Sequence, residues 1–237
     1  MSNNQVLSDT RKKTGAVNKK SKVQEKAIRT AVLIAAEKIR QTYPRYYFDV
    51  RSSLSLKDIR GKISSLFPDA DIGDTEKQNL RIQPDGGLVF LLDEKKNRHL
   101  VLASEAKRQG MNDIREANGE KKKQVGNAIE RFATNANAIK SYMNSEPIVP
   151  YLMYCQGCDF ADSATLGRLL RANDFASLNK LHLYKDYSKY HTRSLISIYA
   201  RVEEWAVEEM VPTMVEMMVG SIDHYVSRYG HDFFLKK

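Results

Sequence analysis

Three side chains near the middle of this chain have the types and spacing for chemistry on a phosphate. Asp85 follows Pro84 and precedes Gly86 and Gly87, and Glu105 and Lys107 flank Ala106 some twenty residues later. Side chains alternate along a strand, so a strand through 104–107 aims Glu105 and Lys107 the same way. With a hairpin turn centred on Lys96, positions 85 and 107 each lie 11 residues from the centre, and Glu105 falls opposite Gly87. That register gathers two carboxylates and one ammonium at one end of one face. Carboxylates at close quarters repel each other, and a divalent cation relieves the repulsion. Hard oxygen ligands with open positions suit Mg²⁺ held partly through water and phosphate. Such a metal lowers the pKa of its water and offsets charge building on the phosphate. Lys107 would orient or deprotonate that water, its own pKa lowered toward the role by desolvation and the metal. The competing reading is a buried salt bridge between Lys107 and one carboxylate, and spacing alone leaves both open. Gly86 and Gly87 leave room for a backbone or a substrate to approach closely.

The elements that must position these residues are partly visible. Ile28, Val32, Ala35 and Ile39 recur at helical spacing over Glu25–Thr42, and Pro44 closes that segment. A shorter helix fits Leu56–Leu66, ahead of Pro68. Strands are expected over Gly87–Asp93 and His99–Lys107, joined by the polar run 94–98. Both are apolar on both faces, as strands in the middle of a covered sheet are. Further on, a helix is expected over Asn127–Met143, a strand over Ile148–Tyr154, a short helix over Leu166–Ala172 and a strand over Lys180–Tyr184. The C-terminal third, from about Ser194 to Tyr229, reads as helix interrupted at Pro212. This alternation argues an α/β fold, a central mixed sheet with helices on both faces. The segment 1–24 is polar and basic, with Arg11, Lys12, Lys13, Lys19, Lys20 and Lys22, and has too few apolar residues to fold alone. It is expected to be a disordered arm that touches phosphates, ahead of one catalytic and recognition domain over 25–237.

Composition narrows the partner. The net charge of +9 on 237 residues favours a polyanion, with DNA or RNA first. The longest apolar stretches are short and broken by charge, so no membrane partner is expected. The N-terminus has no signal-peptide core, and residence in the cytoplasm is expected. Cys155 and Cys158 are the only cysteines. A closed zinc site needs four ligands and a second pair is missing, while a redox pair should open a helix rather than end an apolar strand. They read as ordinary reduced thiols.

A Pro-Asp followed about twenty residues on by Glu-x-Lys resembles the signature of the PD-(D/E)XK nucleases. The likeness is closer than that superfamily. Pro84-Asp85-Gly86-Gly87, then Ser104-Glu105-Ala106-Lys107-Arg108-Gln109-Gly110, then Gly126-Asn127-Ala128-Ile129-Glu130-Arg131 resemble the EcoRI-type restriction endonucleases. Weaker similarity runs from about Tyr43 to the C-terminal Asp232-Phe233-Phe234. The resemblance implies the restriction-endonuclease-like fold. It makes Asp85 and Glu105 metal carboxylates, Lys107 the catalytic lysine, and Ala106 a residue whose backbone carbonyl also reaches the metal, with Mg²⁺ as the cofactor.

It also makes Gly126–Arg131 the start of a recognition helix. Asn127 and Arg131 are four apart and share a face, with Glu130 adjacent. In a major groove Asn pairs with an adenine edge, Arg with N7 acceptors, and Glu with amino groups of A or C. Without the resemblance these six residues read as a capped, salt-bridged surface helix. Arg168 and Arg171 resemble an Arg-x-x-Arg pair that the family places near DNA; phosphate contact or plain surface charge explains them equally. Lys121, Lys122 and Lys123 suit phosphates, which carry no sequence information.

The activity implied is that of a type II restriction endonuclease. It would bind a palindrome in double-stranded DNA as a two-fold homodimer and hydrolyse one phosphodiester per strand, leaving 5′ overhangs. The implied target contains AATT, with GAATTC favoured, and a cognate DNA methyltransferase would protect the host. Two departures bear on the outer base pairs. The stretch before the recognition helix is shorter than in the best-known member and ends in Lys123-Gln124-Val125, and Arg108 replaces a histidine. The alternatives are a structure-selective repair nuclease or junction resolvase with the same metal core, and a DNA-binding protein with a vestigial metal site.

Overall fold

Apolar residues facing both ways demand cover on both sides, and the strands around the Asp/Glu/Lys motif receive it. In a computed structural model, residues 3–69, 80–108, 115, 117–121, 126–160, 163–173, 175–187 and 192–235 are described, with backbone alone for 3–21, 126–128, 163, 192 and 193. In chain order the elements are α1 (Asn3–Thr42), β1 (Tyr47–Arg51), β2 (Leu54–Ser55), α2 (Leu56–Leu66), β3 (Arg81–Ile82), β4 (Gly87–Leu92) and β5 (Arg98–Arg108). They continue with α3 (Gly126–Tyr142), β6 (Tyr151–Gln156), α4 (Ser163–Ala172), β7 (Ser177–Leu178), β8 (Asp186–Tyr187), β9 (Thr192–Arg193), β10 (Ser197–Arg201) and α5 (Val207–Tyr229).

Six strands form one mixed sheet in the order β1-β4-β5-β6-β10-β7. The β1, β4 and β5 strands pair antiparallel, whereas β5, β6, β10 and β7 run parallel. Helices α1 and α5 pack on each other and on β5, and α3 with α2 and α4 covers the other face. The α/β reading with a mixed sheet between helices therefore holds. Leu88–Leu91, Leu100–Ala103 and Tyr151–Cys155 are buried at the centre. Fully burying one Leu or Phe side chain stabilises by about 1.5–3 kcal/mol. On α1 the inward stripe is Ile28, Ala31, Val32, Ala35, Ala36 and Ile39, and it ends one turn earlier on a buried polar residue, Gln24.

The helix expected over Glu25–Thr42 continues back to Asn3. α2 matches its expected bounds and opens on a capping box, in which Ser55 Oγ accepts from the Asp58 amide and the Asp58 carboxylate accepts from the Ser55 amide.

Three expectations need correction. The hairpin is not centred on Lys96. Leu92 pairs with Arg98 and Gly87 with Ser104, and a bulge beside Val89/Phe90 leaves Val101 as the extra residue on β5. The turn explains the centre: the Asp93 carboxylate accepts from the amides of Lys95 and Asn97 and from the Asn97 side chain, and Lys96 takes a left-handed φ of 63°. The strand expected over Lys180–Tyr184 reduces to a single bridge between Tyr184 and Ile148, with a two-residue strand upstream at Ser177–Leu178. The helix expected from Ser194 begins only at Val207, and Ser197–Arg201 is a strand between β6 and β7. Ile196 and Ile198 suit that covered position. Pro212 does not break α5. Pro212 and Glu208, whose carbonyl it leaves without a helical donor, are both exposed, so water can take that bond.

Candidate active site

The strand pairing that buries β5 stops at Ser104 on its β4 side, and the next four residues run past the end of β4. Gly86 donates to the Ser104 carbonyl at 2.9 Å and Gly87 closes a turn onto Pro84, so Asp85 sits in that turn, off the ladder. Its side chain is thus free of strand alternation and reaches β5 although the register differs from the one expected. Carbonyls on a strand alternate sides. The Ala106 carbonyl therefore points to the same edge as that of Ser104, toward the turn holding Asp85.

The three side chains meet. Lys107 Nζ lies 3.0 Å from Asp85 Oδ2 and 2.6 Å from Glu105 Oε1. Asp85 and Lys107 are about one-fifth exposed and Glu105 is fully buried. An isolated carboxylate there would cost several kcal/mol. Two further residues offset that cost: Tyr151 donates to Glu105 Oε2 at 2.5 Å and Asn135 Nδ2 donates to the same oxygen at 3.1 Å. Oε1 accepts no aligned hydrogen bond, and its 2.6 Å contact with Lys107 is an ion pair. Gln24 Nε2 donates to the Lys107 carbonyl at 3.2 Å, which fixes the end of β5 to α1.

Burial pushes the Glu105 carboxyl up, against the pull of Lys107 and Tyr151. Burial acts on Lys107 in the downward direction, but the two carboxylates outweigh it and the ammonium is raised overall. The lowering expected for Lys107 is therefore absent from this arrangement. Burial holds Tyr151 well above the ordinary range of a phenol, so it remains a donor. The salt-bridge reading of the sequence is part of the geometry, with both carboxylates as partners.

Two carboxylates, one with an oxygen lacking any aligned donor, together with a strand carbonyl on the same edge, suit a hard divalent cation that completes its shell with water and phosphate. Among the described residues no group of three or more His, Cys, Asp or Glu side chains could hold a metal by itself. Cys155 is buried and Cys158 partly so, and they form no disulfide.

The glycines serve the protein's own backbone. A side chain on Gly86 would meet the Ser104 carbonyl at 2.9 Å. Gly87 has φ +90°, and a Cβ there would lie 2.6 Å from the Arg51 carbonyl oxygen. We expect Gly87→Ala to cost about 1–3 kcal/mol of stability. Urea unfolding checks this, and an unchanged midpoint would refute the steric role.

The candidate recognition residues lie at the start of α3, whose backbone begins at Gly126. The side chains of Gly126, Asn127 and Ala128 lie outside the described residues, whereas Glu130 and Arg131 are exposed and Ile129 and Phe132 face the core. Lys121 is exposed, and its carbonyl accepts from Arg115 Nε at 2.7 Å; Lys122 and Lys123 lie outside the described residues. Arg168 and Arg171 are exposed on α4. Arg108 pairs with Glu204 at 2.8 Å.

Asn135 and Tyr151 were not singled out from the sequence. The available signals were a tyrosine opening a buried strand, whose hydroxyl needs a partner, and an asparagine in register with Asn127 and Arg131 on one helix stripe.

The family model for restriction endonuclease EcoRI matches residues 10–167, well over half of the chain and a span that includes every residue of the cluster. The chain belongs to the EcoRI restriction endonuclease family. Two relatives carry the likeness further. The type II restriction enzyme RsrI of Cereibacter sphaeroides is 27% identical over 88% of this chain and 86% of its own length. The type II restriction enzyme EcoRI of Escherichia coli is 30% identical over 59% of this chain and 53% of its own. This EcoRI-family member is a type II site-specific deoxyribonuclease acting on double-stranded DNA, of a class that works with divalent metal ions. No described helix is long and apolar enough to cross a membrane.

Proposed function

We propose that this endonuclease reads a palindrome containing AATT, with GAATTC favoured, and cuts one phosphodiester in each strand with Mg²⁺, leaving 5′ overhangs. It acts as a two-fold dimer, because an isologous pair matches the symmetry of a palindrome. The observation that carries the cutting half is the meeting of Asp85, Glu105 and Lys107 where β5 outruns β4. Asp85, Glu105 Oε1 and the Ala106 carbonyl would hold the cation. When bound, Mg²⁺ supplies Lewis-acid polarisation of the phosphate and a more acidic water.

Lys107 begins as an ammonium between two carboxylates. A cation held by those carboxylates would weaken their hold on its proton, and the amine, with that proton released to solvent, would orient the attacking water or take its proton. Asn127, Glu130 and Arg131 read base edges from the start of α3, with Gly126 and Ala128 allowing close approach. Lys121, Lys122, Lys123, Arg168 and Arg171 contact phosphate. The basic segment 1–24, whose backbone from Asn3 is the first part of α1 and which docks on the domain at Gln24, adds phosphate contacts.

The test is a digest of a plasmid of known sequence in Mg²⁺, followed by sequencing of the fragment ends. Discrete fragments with 5′ overhangs, cut at sites containing AATT, are expected. Nicking that follows branches, or binding without fragments, would reject the proposal.

A further inference from the structure

We propose that Asn135 is a positioning residue that, together with Tyr151, aims Glu105 and ties it to the helix bearing the recognition segment; the inference rests on the reading of Glu105 as a metal carboxylate. The two oxygens of Glu105 are treated unequally. Oε2 receives both neutral donors, Tyr151 at 2.5 Å and Asn135 at 3.1 Å, whereas Oε1 accepts no aligned hydrogen bond and faces Lys107. Rotating the carboxylate out of its present plane would break two hydrogen bonds to a charged group in a fully buried site, so the oxygen position facing Lys107, here Oε1, is the one offered to a cation.

The two anchors come from different parts of the fold. Tyr151 is held in β6, fully buried and beside Phe132 of α3, with ring centroids 5.9 Å apart. Asn135 lies on α3 itself, in the stripe formed by positions 127, 131 and 135. A helix is stiff over two turns, a span of about 12 Å. A displacement of the start of α3 on DNA therefore reaches Oε2 through one side-chain hydrogen bond. Asn135 acts through Glu105, to whose Oε2 its side-chain amide donates.

The experiment compares the full-length enzyme with Asn135→Ala, Tyr151→Phe and Glu105→Ala on a duplex carrying the site found in the plasmid digest. Single-turnover cleavage is followed against Mg²⁺ concentration, and duplex affinity is measured without metal and with Ca²⁺ in place of Mg²⁺. The Mg²⁺ needed for half-maximal rate is expected to rise about ten- to a hundredfold in Asn135→Ala and Tyr151→Phe. The gain in affinity given by Ca²⁺ should shrink in parallel, with metal-free affinity unchanged. Tyr151→Phe keeps the side-chain volume, so it carries the test if Asn135→Ala does not fold. Unchanged Mg²⁺ and Ca²⁺ dependence in a folded variant, with only a lower melting temperature, would overturn the positioning role. Cleavage surviving in Glu105→Ala would instead overturn the metal-carboxylate reading beneath it.

Discussion

Glu105→Ala is expected to lose at least about a thousandfold in strand cleavage while still binding its cognate duplex, and Asp85→Ala should behave alike. Several kcal/mol of transition-state charge stabilisation depend on a cation held between these carboxylates, and each 1.36 kcal/mol is tenfold in rate. Binding survives because neither side chain is placed to read a base. It should even tighten at low salt, since each substitution removes one negative charge from the edge of a surface that must meet phosphate. Glu105→Ala also leaves Lys107 with Asp85 as its one carboxylate partner in the cluster. Cleavage in Mg²⁺ at near wild-type rate by either variant, alongside a cognate gel shift, would sink the assignment of the metal site.

Asn127→Ala is expected to cost about 1–3 kcal/mol of discrimination at one base pair, up to roughly a hundredfold. The reason is specific to amides. Asn donates to N7 and accepts from N6–H on one adenine edge, and alanine leaves both base groups unpaired. The loss should appear as a smaller ratio between cognate and one-base-altered duplexes. Substituting Lys121, Arg168 or Arg171 should instead weaken binding to every sequence and flatten its salt dependence. A preference unaltered by Asn127→Ala would remove this residue from the recognition set.

The central hairpin and α2 were legible because their signals are local: apolar runs facing both ways, a polar turn, a proline just past a helix. The meeting of Asp85 with Lys107 was also legible, but for an incomplete reason. Counting residues from Lys96 put 85 opposite 107, whereas the turn at Asp93–Asn97 and the bulge at Val101 change that register. The contact persists because Asp85 leaves the ladder in its own turn. The strand at Ser197–Arg201 was hidden because the run holding Ile196, Ile198 and Tyr199 is too short for its periodicity to separate strand from helix, and its partner β6 is some forty residues away. Asn135 and Tyr151 were hidden for a related reason. Each looks ordinary within its own element, and they become a pair only when α3 is laid across β5 and β6.

The unequal treatment of Glu105's oxygens bears on ionic size. Ca²⁺ collects about six to eight oxygens at about 2.3–2.6 Å and often takes both arms of a carboxylate; Mg²⁺ accepts single arms and keeps waters at about 2.0–2.1 Å. With one arm already gripped by a phenol and an amide, Glu105 would lend a single oxygen to either ion, and water would complete the shell. A tyrosine and an asparagine would thus set how many oxygens one carboxylate contributes to a cation.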